Sequence, residues 1–231
     1  MPGRRLFTGV ALLVAACIAV AKEPVSYQLD PVHTRVMFAV EHAGFSKAIG
    51  TVSGSTGTLV FNPEDWSQAR VEVEVPLSRI DLGDEKWNRA AMAGNLLDVA
   101  DHPQAHFVST RVEPQSPDRA FVHGDLTLNG ITRPVRLDVH FNALKRHPLP
   151  PFRRTAGFSA TTELRRSDFG ITAWKSVIGD LVELRIEAEA TRSGKVDADD
   201  ASSEAAENAV SEDASADDAQ ARPDPETEPT P

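Results

Sequence analysis

Cysteine is nearly missing from this chain: Cys17 is the one thiol among 231 residues. No intrachain disulfide is available, so stability has to come from packing, and a thiolate zinc cage is excluded. Aromatic residues make up only 6% of the chain. The longest apolar run, Leu6–Val20, spans 15 residues, short of the roughly 20 that a transmembrane helix needs. A basic excess is also lacking: 24 Lys and Arg stand against 34 Asp and Glu, a net charge of −10. Phosphate-backbone recognition depends on clustered cations, so no nucleic-acid partner is expected. Neither an HExxH nor a paired CxxC occurs, and no metal is expected. His102 and His106 stand four apart with Pro103 between them. On a strand they would lie about 13 Å apart, too far for one ion.

The charge sits at one end. Residues 193–231 hold twelve acidic and two basic side chains, a balance equal to that of the whole chain. The same segment has no Phe, Trp, Tyr, Leu, Ile or Met. It cannot bury enough apolar surface to offset its ordering entropy, so a disordered acidic tail is expected. At the other end, Arg4 and Arg5 precede the apolar run, and Ala19-Val20-Ala21 offers a small-x-small cleavage site. Residues 1–21 therefore read as an export signal peptide cut after Ala21. Val14-Ala15-Ala16-Cys17 also resembles a lipobox, which leaves a lipoprotein anchored at Cys17 as the alternative. Residues 22–192 remain as one domain.

That domain is patterned for strands. Val71, Val73 and Val75 alternate with Glu72 and Glu74. Val135, Leu137, Val139 and Phe141 alternate with Arg136, Asp138 and His140, and Val182, Leu184, Ile186, Ala188 and Ala190 with Glu183, Arg185, Glu187 and Glu189. Val36, Phe38 and Val40 form a shorter stripe, as do Leu126 and Leu128. A period of two with one charged face is the pattern of a half-buried strand. Further strands are expected near 47–53, 57–61, 107–112 and 156–164, with turns at Asn62-Pro63, Asn129-Gly130 and Pro148–Pro151. The expected fold is all-β: an antiparallel eight-stranded barrel with a short helix after the fourth strand. That helix is expected over Asp84–Ala93, ended by Gly94, with Trp87, Ala90 and Ala91 on one stripe. Trp87 and Met92 are its candidate tunnel-end residues. Phe38, Val40, Phe61, Val73, Val75, Leu126, Leu137, Val139, Phe141, Phe158, Leu184 and Ile186 are the candidate lumen lining.

Five blocks carry a resemblance. Tyr27-x-Leu29-Asp30-x-x-His33-Thr34 leads into Phe38-x-Val40-x-His42-x-Gly44. Asp98, Pro103, Phe107 and Ser109 form the middle block, followed by Gly124-Asp125-Leu126-Thr127-Leu128-x-Gly130 and Thr132-Arg133-Pro134-Val135. The closing block holds Gly157-Phe158, Arg166-Ser167-Asp168-Phe169-Gly170 and Gly179-Asp180-x-Val182-x-Leu184. In this order the blocks resemble the YceI-like family, lipocalin-like polyisoprenoid-binding proteins of bacterial periplasms. The resemblance implies an extended barrel with a hydrophobic tunnel that takes a polyprenyl chain or a quinone tail. It breaks down in the helix region. There the family reads roughly Arg-Asp-x-His-Leu, then Asp-Phe-Phe-Asp, and this chain has Trp87, Asn88, Ala90 and Ala91, then Asn95, Leu96, Leu97 and Asp98.

The leading expectation is an exported, non-catalytic carrier of an isoprenoid lipid that needs no cofactor. His33, Arg166 and Asp168 are the candidate polar contacts to a head group. Two competitors stay open. One is an enzyme acting on a small lipid through Asp30 and His33 or through Arg166 and Asp168. The other is a structural or stress-related interaction protein with a filled barrel and a working acidic tail. A transient membrane contact, a donor or acceptor protein, and a homodimer stay open as partners.

Overall fold

A computed structural model describes residues 23–194. The expected leader with its Ala21 cut, Cys17, and the acidic tail beyond Gly194 lie outside the described residues. The described residues form eleven strands and one α-helix. In chain order the strands are β1 (Val25–Leu29), β2 (Arg35–His42), β3 (Ser46–Ser53), β4 (Thr56–Phe61), β5 (Arg70–Pro76) and β6 (Ile80–Asp81). Helix α1 (Glu85–Met92) follows, then β7 (Gln104–Ser116), β8 (Arg119–Leu128), β9 (Ile131–Arg146), β10 (Arg154–Arg165) and β11 (Ile178–Arg192).

Eight strands close an antiparallel ring in the order β1-β4-β5-β7-β8-β9-β10-β11, with β11 returning to β1. Strand β11 serves two neighbours in series. Its end, Ala190–Arg192, pairs with β1, and its longer first part pairs with β2. Strands β2, β3 and β6 thus form a flap that continues the wall beyond the short β1. At 15 residues β11 runs roughly 50 Å at the usual rise per residue, which makes the barrel an extended one.

The pleat sorts the side chains as the stripes require. Val135, Leu137 and Val139 face inward on β9, while Arg136 and Asp138 are exposed. Charge outside and aliphatics inside is the reverse of a transmembrane barrel. Asn129 and Gly130 take positive φ of 52° and 71°, the two-residue hairpin turn that Asn-Gly favours.

The strand inventory differs from the expectation in two places. Strand β1 precedes the first expected strand and β6 adds a two-residue pairing on β3, so α1 follows the sixth strand in chain order. Asp84 caps α1, its carboxylate accepting from the Lys86 and Trp87 amides at 2.9 and 3.1 Å. The helix ends at Met92, one residue before the expected Ala93, and Gly94 does not adopt the left-handed cap.

One end of the barrel is packed solid. Phe61 lies 5.1 Å from Trp66 and 5.2 Å from both Phe141 and Phe158, ring centre to ring centre. Tyr27, Ala120, Ala156 and Ala190 fill in around this cluster. Trp66 comes from a one-turn helix, Trp66–Gln68, capped by Asp65.

Candidate functional site, an apolar cavity

Above the aromatic cluster the lumen is open. The cavity has a volume of about 520 Å³, within the range of pockets that hold small-molecule ligands. Its walls are aliphatic and aromatic, from Phe61, Trp66 and Phe158 at the bottom to α1 at the top. Inward-facing Val135, Leu137, Val182 and Leu184 are only half-buried, because they face this space and not a packed core. That excludes a fully filled barrel.

Eleven of the twelve candidate lumen residues line the cavity: Phe38, Val40, Phe61, Val73, Val75, Leu126, Leu137, Val139, Phe158, Leu184 and Ile186. Phe141 does not. It belongs to the aromatic plug, paired with Phe158 where the β9–β10 register shifts by one residue. Trp87, Ala90 and Ala91 of α1 also line the cavity, joined by Leu96 and Leu97. Leu96 and Leu97 occupy the segment where the family motif carries phenylalanines. Met92 stands back from the lining; its carbonyl accepts from the Val99 amide at 3.1 Å.

The three candidate head-group residues are scattered. His33 lies outside the cavity with its side chain 52% exposed. Its Nδ1 meets the Asp30 carboxylate at 2.7 Å, and that carboxylate also accepts from the Val32 and His33 amides. Asp30 and His33 form a turn, as Asx chemistry dictates. Burial works to raise the Asp30 carboxyl, but the bonds from His33 and the two amides outweigh it and leave it below the usual range. The hydrogen bond to Asp30 lifts the His33 imidazole above its ordinary value. Asp168 is exposed and lines, with Arg133 and Arg165, a mixed-polarity depression that adjoins the cavity through shared wall residues such as Thr162, Leu164 and Phe169.

Arg166 does reach the cavity wall and is 6% exposed. It is bonded to neither Asp168 nor Asp180, the partners its neighbours in sequence suggest. Its guanidinium donates to the carbonyls of Gly179, Ile171, Ala173 and Ile178 at 2.8–2.9 Å. It clamps the loop between β10 and β11. Asp180 instead accepts from the Ser167 hydroxyl and amide and from Arg165, which hold its carboxyl low. Neither pair proposed for catalysis converges on the lumen.

Two seams in the wall are bridged by other groups. Pairing of β9 with β10 stops at Thr161 opposite Asp138. Beyond it the Thr162 hydroxyl donates to the Arg136 carbonyl at 2.8 Å, and buried Phe169 packs behind, its carbonyl held by Asn129. The flap edge at β3 is finished by β6 and by buried Leu77. The polar atoms Ser55 Oγ and Trp66 Nε1, on residues that line the cavity, have no hydrogen-bond partner among the described residues. No cluster able to hold a metal ion occurs among the described residues. His106 pairs with Glu72 on the outer wall at 2.9 Å, and the His102 ring packs against Gly130.

The family model described as YceI-like domain matches residues 27–190. A UPF0312 protein of Pectobacterium atrosepticum is 31% identical over 185 residues, 80% of this chain and 94% of that protein. Protein YceI of Salmonella agona is 33% identical over 185 residues, covering 79% and 94%. The crystal structure of Burkholderia cenocepacia BcnA superposes with a TM-score of 0.63 at 23% identity, over 71% of this chain and 99% of that one. A polyisoprenoid binding domain from Saccharophagus degradans, implicated in plant cell wall breakdown, gives a TM-score of 0.53 at 14% identity, over 73% and 99%. With the family model spanning nearly the whole barrel and these relatives matching it end to end, the chain belongs to the YceI-like family.

Proposed function

We propose that this protein is an exported, non-catalytic carrier that holds a long isoprenoid lipid, a polyprenyl chain or a quinone tail, in its lumen. The observation that carries the reading is the apolar cavity inside a wall whose outer face is charged. An isoprenoid gains about 0.8 kcal/mol per buried CH₂. A long chain therefore needs few polar contacts, and few polar side chains are on offer. The polyisoprenoid-binding domain of Saccharophagus degradans supports the ligand class by likeness of fold. The charged n-region, apolar run and Ala19-Val20-Ala21 site support export and a periplasmic location. No cofactor is required for such a role.

Native mass spectrometry of protein recovered from the periplasm tests it. A bound prenyl lipid or quinone is the expected result. An empty barrel that also takes up neither a long-chain polyprenol nor ubiquinone on incubation overturns the proposal.

A further inference from the structure

Three of the four exposed aromatic side chains among the described residues stand at the cavity mouth. Phe45 is 91% exposed, Trp174 60% and Trp87 45%. They come from three elements that touch in series. The Trp87 ring, on α1, lies 5.3 Å from that of His42 at the end of β2. His42 opens the β2–β3 turn, whose Phe45 amide donates to the His42 carbonyl at 3.1 Å. The Ala43 amide of that turn donates to the Val177 carbonyl. The Val177 and Ile178 amides both donate to the carbonyl of Trp174 at 2.8 Å. Trp174 itself adopts φ of 56°, a left-handed conformation that a bulky residue rarely takes. His42, Trp87 and Ile178 also line the cavity, so this chain of contacts is its rim.

Lysine follows the aromatics. Lys86 precedes Trp87, Lys175 follows Trp174, and Lys47 stands two residues after Phe45. These are three of the four lysines among the described residues. Lys47 pairs with Glu183, whereas Lys86 and Lys175 have no ion-pair partner among the described residues. Acidic neighbours are present as well: Glu41 and Glu85 are exposed, Glu85 facing Arg89. Exposed Trp and Phe beside Lys is the side-chain chemistry of a membrane interface. The rings sit at the headgroup level and the ammonium groups meet lipid phosphates.

We infer that the mouth is a docking rim that seats on a phospholipid bilayer surface through Phe45, Trp87 and Trp174. Such seating joins the cavity to the hydrocarbon phase, so that a lipid enters or leaves without crossing water. The purpose rests on the carrier reading; the docking does not. A second copy is the weaker occupant, because rim against rim would bring the unpaired Lys86 and Lys175 of both copies together and seal both mouths.

The test compares the full chain with a Phe45→Ser/Trp174→Ser variant, which leaves the cavity lining intact. Co-sedimentation uses phosphatidylethanolamine and phosphatidylglycerol vesicles free of isoprenoid. Partition of the wild type, weakened at least tenfold in the variant, is expected, with Trp fluorescence quenched by brominated lipid in the wild type. No partition of the wild type, or equal partition of both, overturns the inference. So does a wild-type dimer that the variant loses when neither binds vesicles. Uptake of a polyprenol delivered from cyclodextrin is measured in parallel and should be the same for both proteins. Docking without uptake would refute the carrier and leave the rim standing; uptake without docking would do the reverse.

Discussion

Phe38 and Gly50 face each other across the β2–β3 pair, and the phenylalanine ring occupies the space of the missing side chain. A Cβ at Gly50 would stand 2.4 Å from Phe38 Cζ and 3.0 Å from the Asp81 carbonyl oxygen. The ring therefore lies back over the strand and leaves the lumen clear.

Gly50→Ala should push the Phe38 ring toward the cavity. Overpacking of this kind costs about 1–3 kcal/mol, seen as a lowered Tm. Bound lipid per protein should fall with it, and Phe38→Ala in the same chain should restore loading. Unchanged stability and loading in Gly50→Ala would mean that the ring has room elsewhere.

Phe61 is 1% exposed at the centre of the aromatic plug. Phe61→Ala should cost about 3–5 kcal/mol, read from urea unfolding. It should also extend the cavity downward past Trp66, whose emission would shift. A cost below about 1 kcal/mol would show that the end of the barrel collapses to refill the space.

Arg166 holds the mouth loop by four carbonyls, and a lysine cannot reproduce that planar fork. Arg166→Lys should destabilise the fold by about 2–4 kcal/mol, on the scale of a lost charged hydrogen-bond set. Hydrogen exchange should rise first at residues 171–179. Uniform loss of protection across the barrel would instead assign Arg166 a global role.

The lumen stripes were legible because a period of two survives in any antiparallel wall. Charged residues at 72, 74, 136, 138, 183 and 185 mark the outside without reference to the partner strand. Phe141 keeps the inward phase of its stripe, but it stands at the packed end, where Phe61, Trp66 and Phe158 surround it, and alternation cannot tell an inward residue in a plug from one facing open space. The carbonyl clamp of Arg166 was hidden for a different reason. Its acceptors lie 5 to 13 residues away and converge only when the loop folds, whereas Asp168 sits beside it in sequence. The motif blocks place His33 in the opening turn but cannot say on which side of the wall that turn points. Trp66 belongs to none of the alternating stripes, so no pattern marks it as the floor of the cavity.

The Asp30–His33 pair gives the fold a pH signature that is independent of any ligand. The His33 imidazole is raised above its ordinary value of about 6.5. Its contribution is therefore complete below that value and is lost as pH rises through the folded-state pKa. The Asp30 carboxyl is lowered. Its contribution is present above the unfolded-state value of 3.8 and is lost as pH falls through the folded-state pKa. The two overlap from about pH 4 to 6.5, so the turn should be tightest in mildly acidic solution. Proton NMR titration should find His33 above the ordinary histidine value, and Asp30→Asn should return it toward that value. The solvent-facing side chain of His33 makes the effect on global stability small, so the titration of His33 itself is the sensitive readout. A His33 pKa unchanged by Asp30→Asn would show that the contact does not persist in solution.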